Sequence, residues 1–594
     1  MRLPPKDRSI DLTPKEEEVM ERYYAELERS KKESLIGIGN IIENTSKTMP
    51  KKNALLFEDR SWTWEQFNKE SNAYANFFAK LGLNPGDVVA LILENSPEYL
   101  FIVTGINKIL GITSLINTNQ KKQALIHAIK VVNPRWIIVD GTCLSSLNEV
   151  INELSIKKSQ IFVINDPQNK SHDYLNIKPE LNSASRINPL TTKNLRKFDR
   201  AVYIYTSGTT GLPKAVILIN AVGGGIFHMY AYSRISSNDV VYVTTPLYHS
   251  LATVVWIGAI HTGAAIALRK KFSASQFWKD VHKYKITFTT YIGEIPRYLL
   301  NQPVTDYEKN HTLKRILGVG LKKDIWLQFK SRFNIEHIFE FYGATEGFGP
   351  IFNADEIPGM VGRINPETHI LVKIDPESGE FHKNEFGFCI KCQSGETGML
   401  LWKINKIDIF EKYTDKEKTA KKVIRGVFEE NDAYMITGDL LTLHNNNWLS
   451  FGDRFGDTYR WKGENVSTLE VENILNSHPD IQTSAVYGVS IPNTDGKAGM
   501  ASLQLKSNSN YDIESISKFV TESLPKYSIP IFLRIKKDLA LTGSLKITKT
   551  DLRKEAYDIS KIKEPLFLWD SIKQLYTKFE ANSHQKIISG ELKI

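Results

Sequence analysis

Cysteine is almost missing from this sequence. Its 594 residues include only Cys143, Cys389 and Cys392, too few for a disulfide framework and in keeping with a reducing compartment. Cys389-Ile390-Lys391-Cys392 has metal-ligand spacing, with His382 upstream. No second pair completes a four-ligand zinc site, so the two cysteines are expected to flank a β-turn or strand. Long apolar runs are also scarce. The most apolar one, residues 251–268, contains Thr253, His261, Thr262 and two glycines. It only touches the lower limit for a membrane span and is expected as a buried helix. Met1-Arg2-Leu3-Pro4-Pro5-Lys6 has no apolar stretch of a secretory signal behind it. There is no dense Arg/Lys stripe with interleaved aromatics, which argues against nucleic acid as a partner, and no short-period repeat of a solenoid.

What is present is an ordinary globular composition, 41% hydrophobic and 24% charged, with a net charge of +9. That charge suits an anionic ligand or a loose hold on an anionic membrane surface. The length calls for several domains. Residues 1–34 read as a leader, one charged peripheral helix with Val19, Tyr23 and Leu27 at helical spacing. From Ser34 helices and strands alternate. Thr63 and Gln66 have capping-box spacing, and the helix they open runs to Leu81 and stops at Gly82. Asn84-Pro85-Gly86-Asp87 turns the chain into the apolar strand 88–93. Helices near 98–110 and 121–128 separate strands at 112–115 and 136–139. This alternation predicts an α/β fold with parallel sheet covered by helices. Residues 164–194 read as a loop-rich connection and 403–432 as a solvated helical excursion. Gly452-Asp453-Arg454-Phe455-Gly456-Asp457 reads as a hinge. Beyond it, helices at 469–477 and 513–524 and strands at 483–489 and 501–505 predict a small α+β domain of about a hundred residues. The expected divisions are 1–34, 35–455, 456–560 and a partly helical tail, 561–594.

Tyr205-Thr206-Ser207-Gly208-Thr209-Thr210-Gly211-Leu212-Pro213-Lys214 lies between the β-rich run 200–204 and the apolar run 215–219. Glycines let backbone N–H groups approach oxygens closely, hydroxyls donate and the lysine adds positive charge, so this is a phosphate loop. It is not a Walker loop: Gly208 and Gly211 are three apart, and Ala215 follows the lysine where a magnesium-binding hydroxyl would stand. The string resembles the signature of the adenylate-forming superfamily of acyl-CoA synthetases, luciferases and peptide-synthetase adenylation modules. That resemblance implies a large N-terminal adenylate-forming domain and a small mobile C-terminal one. It also implies that Thr206, Ser207, Gly208, Thr209, Thr210, Gly211 and Lys214 bind ATP.

Further stretches follow in the superfamily's order. Glu340-Phe341-Tyr342-Gly343-Ala344-Thr345-Glu346-Gly347 offers an aromatic ring for a purine, a hydroxyl for a phosphate and a hard oxygen ligand for Mg2+. The resemblance implies Tyr342 against adenine, Thr345 near the α-phosphate and Glu346 on magnesium. Gly318-Val319-Gly320-Leu321 resembles the segment walling the adenine pocket. A carboxylate in Thr437-Gly438-Asp439 suits ribose hydroxyls, and Arg454 supplies planar donors for ribose or phosphate. Pro246-Leu247-Tyr248-His249-Ser250 resembles the aromatic-His motif near the acyl pocket, with His249 at the carboxylate end. Trp461-Lys462-Gly463-Glu464-Asn465 corresponds to a loop of the coenzyme A pantetheine tunnel, which brings in Lys462, Gly463 and Glu464. Leu541-Thr542-Gly543-Ser544-Leu545-Lys546 lies where the superfamily places its catalytic lysine. The common form has glycine directly before that lysine. Here Gly543 stands three residues earlier, and Lys549 is the alternative to Lys546.

Residues 452–468, Val486-Tyr487-Gly488-Val489, 495–501 and Leu524-Pro525-Lys526-Tyr527-Ser528-Ile529-Pro530 resemble the fatty acid transport protein/very-long-chain acyl-CoA synthetase family. The resemblance extends from about Ser34 to about Asp558. It departs at Phe348, where members usually have Asn, and at Gly456, where the wider superfamily uses Asp or Lys. Many members also begin with a membrane-spanning helix, which is not evident here. The resemblance implies activation of a long- or very-long-chain fatty acid through acyl-AMP to acyl-CoA, with ATP, Mg2+ and coenzyme A. Coupling to fatty acid uptake and a peripheral place on the cytosolic face of a membrane are further expectations. Two rival readings are a lipid-uptake or lipid-binding protein without catalysis and an adenylation enzyme loading a carrier protein. Apolar tunnel residues cannot be told from core, so chain-length preference is not legible.

Overall fold

The computed structural model describes residues 12–32, 36–166, 173–207, 213–220, 231–293, 295–321, 323–343, 350–375, 379–404, 422–454, 458–461, 464–492, 494, 496–506, 512–541, 547–589 and 591–592. The chain divides into two compact units, Met1–Pro358 with Lys406–Lys422, and Gly359–Asn405 with Val423–Ile594.

The first unit contains two sheets. One has seven strands in the order Leu175–Asn176, Ile161–Ile164, Trp136–Asp140, Val88–Ile92, Ile112–Leu115, Arg200–Ser207, Pro213–Ile219, all parallel except the last pair. The other has eight: Ile351–Phe352, His337–Tyr342, Arg315–Val319, Phe288–Ile292, Val240–Val243, Ala265–Leu268, Asn53–Phe57, Arg60–Thr63, parallel but for the outermost strand at each edge. The uninterrupted apolar strands reflect burial on both faces. Along Val88–Ile92, Val89 and Leu91 enter one apolar cluster while Val88, Ala90 and Ile92 enter another, as the two-residue period requires. The first cluster also takes residues from the eight-stranded sheet and from helices Ile38–Thr48, Trp64–Lys80, Pro97–Lys108 and Ser250–Thr262.

Local signals act as expected from their chemistry. The Thr63 hydroxyl accepts from the Gln66 N–H at 3.3 Å and the Gln66 side chain accepts from the Thr63 N–H at 2.8 Å, a reciprocal capping box. The run 251–268 is not one helix. Its helix spans Ser250–Thr262 and ends at Gly263, whose φ of 74° makes a left-handed cap, and the chain then re-enters the sheet as Ala265–Leu268. Among the described residues no helix is long and apolar enough to cross a membrane. The leader forms a helix, Pro14–Lys32, whose Val19 and Tyr23 belong to the main apolar cluster. Glu26 and Arg29 bond the buried His261 ring near the end of the Ser250–Thr262 helix.

The second unit begins with an antiparallel sheet of Gly362–Arg363, Trp448–Arg454, Ala433–Leu443, Thr397–Lys403 and His369–Val372, with Val423–Arg425 on a branch. It continues with a hairpin, Tyr459–Trp461 and Glu464–Val466, and a five-stranded sheet ordered Ile481–Val489, Ala498–Leu505, Phe532–Lys536, Leu566–Asp570, Leu575–Lys578, with helices Thr468–Asn476 and Ile513–Ser523. Two strands of this sheet come from residues 561–594; the same stretch ends in the helix Ala581–Ile588. Cys389 and Cys392 are buried and free, and burial pushes the Cys392 thiol up to about 11. The 405–421 part of the expected helical excursion lies outside the described residues.

Candidate functional site

In open α/β sheets, ligands bind outside the carboxyl ends of parallel strands. In the first unit those ends carry most of the described candidates. The phosphate loop follows Arg200–Ser207, but what it joins is a hairpin. Pro213–Ile219 pairs antiparallel with the incoming strand, with Ser207 opposite Pro213 and Thr206 opposite Lys214. Thr206 and Lys214 therefore stand at the base of one turn. Gly208, Thr209, Thr210 and Gly211 lie outside the described residues, as does the Ser207 side chain.

The expected purine wall is built by neighbouring parallel strands. Gly318 near the end of Arg315–Val319 registers with Glu340, two residues before the buried Tyr342 on His337–Tyr342. Glu340 holds this wall together. One carboxyl oxygen accepts from the N–H groups of Gly320 and Leu321, the latter at 3.2 Å, and the other pairs with the Tyr291 hydroxyl. Burial pushes the Glu340 carboxyl up to about 8, against the lowering effect of those same hydrogen bonds. The carboxyl thus fixes the turn after Arg315–Val319 without contacting solvent. Among the described residues, an ideal Cβ on Gly343 would come no nearer than 3.7 Å to a neighbour, and the same separation holds at Gly320.

Asn95 was not singled out in the sequence, yet it ties the two sheets together. It follows Val88–Ile92 and donates to the carbonyls of Thr245 and Arg269, both at 3.0 Å, while accepting from the Leu247 N–H at 2.8 Å. These bonds fix the Pro246-Leu247-Tyr248-His249 turn. The Tyr248 hydroxyl takes a 3.4 Å bond from Asn119, after Ile112–Leu115. His249 is the N-cap position of the Ser250–Thr262 helix, its ring 4.7 Å from that of Tyr248. The buried hydroxyls of Ser96, Thr244 and Thr245 have no protein partner among the described residues.

In the second unit, Asp439 and Arg454 stand opposite each other on antiparallel strands. Gly438, at φ 85°, turns the chain between Thr437 and Asp439. The Thr437 hydroxyl donates to the Leu400 carbonyl at 2.8 Å and accepts from the Asp439 N–H at 3.2 Å. That arrangement holds Asp439 at a partly exposed position, where its carboxylate chemistry suits a vicinal diol. The side chains of Arg454 and Glu464 are outside the described residues, and so are Thr345, Glu346, Phe348, Gly456, Lys462, Gly463 and Lys546. The described residues include no cluster of three or more His, Cys, Asp or Glu able to hold a metal. Lys549 is engaged within its own domain, 2.8 Å from Glu472 and 3.0 Å from the Thr468 hydroxyl.

The sequence carried a signal for Glu340, an acid inside the apolar string His337-Ile338-Phe339-Glu340-Phe341-Tyr342, where charged residues are rare unless paired. Its partners lie 19 to 49 residues away, which no local pattern reveals.

Comparison with known proteins gives a consistent picture. The AMP-binding enzyme profile matches residues 42–396, and the AMP-binding enzyme C-terminal domain profile matches 470–546. The chain is similar to "Long-chain fatty acid transport protein 6" of Mus musculus, 36% identical over 96% of this chain and 94% of the relative. It is also similar to "Medium/long-chain-fatty-acid--CoA ligase FadD6" of Mycobacterium tuberculosis, 32% identical over 94% and 92%. The fold matches the crystal structure of the anthranilate CoA ligase AuaEII in complex with anthranoyl-AMP, with a TM-score of 0.74 and 22% identity over 89% of this chain and 98% of that one.

Proposed function

The chain belongs to the AMP-binding enzyme family and, within it, to the long-chain fatty acid transport proteins, and from that premise we propose that it is a long- or very-long-chain fatty acid:CoA ligase. One observation carries the reading. The purine-wall segment, the turn before His249 and the Thr206/Lys214 hairpin all leave the carboxyl ends of parallel strands within one unit.

In this reading Lys214 and the hydroxyls of Thr206, Ser207, Thr209 and Thr210 hold the ATP phosphates, with Gly208 and Gly211 allowing backbone approach. Tyr342 packs on the purine beside Gly318, and Asp439 and Arg454 take the ribose. Thr345 donates to the α-phosphate. Glu346 would hold Mg2+, which neutralises phosphate charge when bound. A fatty carboxylate oxygen, oriented near His249, attacks the α-phosphorus. The new P–O bond makes the acyl-adenylate, the α–β bridge breaks and pyrophosphate leaves. Lys546 offsets the charge that builds at the α-phosphate. The small domain, residues 456–560, then turns about Gly456, withdrawing Lys546 and bringing Lys462, Gly463 and Glu464 to the reaction centre. The coenzyme A thiol attacks the acyl carbon, AMP departs and the thiol proton passes to solvent. The lipid substrate and the relatives' names support membrane association, which this reading takes as a peripheral hold on the cytosolic face.

The test is a paired assay of wild type and Lys546→Ala. One arm supplies long-chain acid, ATP, magnesium and coenzyme A; the other supplies preformed acyl-adenylate and coenzyme A. Failure of the mutant in the first arm alone is the expected result. A mutant normal in both arms removes Lys546 from the mechanism, and a wild type that makes no adenylate overturns the ligase reading in favour of lipid binding.

A further inference from the structure

We propose that residues 186–198 form a docking ridge for a bilayer surface bearing anionic headgroups. This deepens the membrane-surface part of the reading above and is independent of the ligase assignment. Ile187, Leu190 and Phe198 are 77%, 81% and 65% exposed, and Arg186, Lys193, Arg196 and Lys197 are exposed around them. With Asp199, four cations and one anion leave the span 186–199 at +3; Arg186 is paired with Glu70 of the Trp64–Lys80 helix at 3.3 Å, which leaves Lys193, Arg196 and Lys197 as the cations of the ridge.

The exposure is built in by the backbone. Three asparagines on the Trp64–Lys80 helix hold the segment along its length. Asn76 donates to the carbonyls of Ser185 and Ile187 at 2.8 and 2.9 Å, and Asn72 donates to the Arg186 carbonyl at 2.9 Å. Asn68 and Asn72 both donate to the Asn188 side chain at 2.8 Å. Farther on, the Thr191 hydroxyl bonds the Lys108 carbonyl at 2.9 Å, Thr192 and Leu195 are buried, and Asn220 holds the Arg196 carbonyl at 2.9 Å. A backbone fastened at both ends and in the middle turns three large apolar side chains into solvent, where water disfavours them.

The chemistry of the display selects the occupant. Aliphatic and phenyl groups reach the acyl boundary while flanking lysines and arginines stay with phosphate oxygens. Lys197 already lies over the Phe198 ring, 5.8 Å from its centroid. Apolar insertion and cationic attraction are the two signals that together give stable surface binding.

The experiment is co-sedimentation of the full chain with phosphatidylcholine vesicles, with and without phosphatidylserine, in the absence of nucleotide, coenzyme A and fatty acid. Binding to the phosphatidylserine vesicles is expected. The triple substitution Ile187→Ser, Leu190→Ser, Phe198→Ser should lower the partition coefficient at least about tenfold, and so should Lys193→Glu with Lys197→Glu. Val304→Ser with Leu327→Ser, which alters side chains 68% and 63% exposed elsewhere in the unit, should leave it unchanged. Unaltered thermal melting confirms that each variant folds. A wild type that ignores both vesicles, including one retained only by an acidic protein matrix, overturns the proposal. Ridge variants that sediment like wild type overturn it as well. Neither outcome bears on ligase activity, because no reaction component is present.

Discussion

Lys108 and Glu340 are both buried ionisable groups of the first unit, and the fold uses them differently. At the junction of helices Ile38–Thr48, Trp64–Lys80 and Pro97–Lys108, the fully buried Lys108 ammonium reaches Asn68 at 2.5 Å, Asn72 at 2.7 Å and Glu43 at 3.1 Å. At the turn after Arg315–Val319, Glu340 takes two backbone N–H groups and a tyrosine hydroxyl. Lys108 draws its partners from side chains on two other helices and so fastens helix to helix. Glu340 takes up the backbone of a turn, the one proposed to wall the purine. Burial lowers Lys108 to about 8 against the pull of Glu43, and raises Glu340 to about 8. A buried ammonium in a scaffold should thus be read through stability, and a buried carboxyl behind the proposed purine wall through ligand affinity as well.

The comparison breaks most visibly on deletion of the lysine. Lys108→Ala, which strands Glu43 and two asparagines, should cost about 3 kcal/mol in urea unfolding with no change in KM for ATP. A large KM effect would erase the distinction. Glu340→Ala should cost about 2–3 kcal/mol, since three donors lose their acceptor. It should also raise KM for ATP roughly tenfold, because a loosened wall forfeits pre-organised binding. A stability loss without any KM change would make Glu340 another scaffold residue.

The pH dependence sharpens the contrast, because the two signs are opposite. The folded Glu340 carboxyl holds its proton more tightly than the unfolded one. Its stabilisation is complete below about pH 4.5 and falls away as pH climbs towards 8. Lys108 holds its proton less tightly when folded. Its penalty is complete below about pH 8 and is relieved between there and about 10.5. Urea titrations should show Glu340→Gln flattening the first window only and Lys108→Met the second only. The smallest effect is that of Glu340→Gln at neutral pH. The amide keeps an acceptor for Gly320 and Leu321 and offers a donor to Tyr291, so stability should stay within about 1 kcal/mol and KM near wild type.

Much of this frame could be read from the chain. Thr63 and Gln66 announced their helix because both halves of a capping box lie within one turn. The strands 88–92, 112–115 and 136–140 stood out because burial on both faces makes them continuously apolar. The hairpin at the expected phosphate loop was not legible, since pairing of Thr206 with Lys214 depends on how 213–219 folds back. Residues 251–268 were read as one helix because apolar content says nothing of period; Gly263 was the stop signal within it. The strands Leu566–Asp570 and Leu575–Lys578 were missed in a stretch read as a partly helical tail, because their order comes from a neighbour, Phe532–Lys536. Asn95 carried no motif at all, and only the meeting of two sheets gives it work.

The absence of a side chain at residue 318 has a consequence for sequence variation. A Cβ there would fall 2.3 Å from the Tyr291 carbonyl oxygen and 2.5 Å from its ring, and that ring is buried with its hydroxyl on Glu340. Even alanine must displace backbone or an enclosed aromatic. A saturation library selected for growth on fatty acid should therefore return glycine alone at this position. The depletion would report a packing constraint relayed through tyrosine and glutamate to the turn at Gly320.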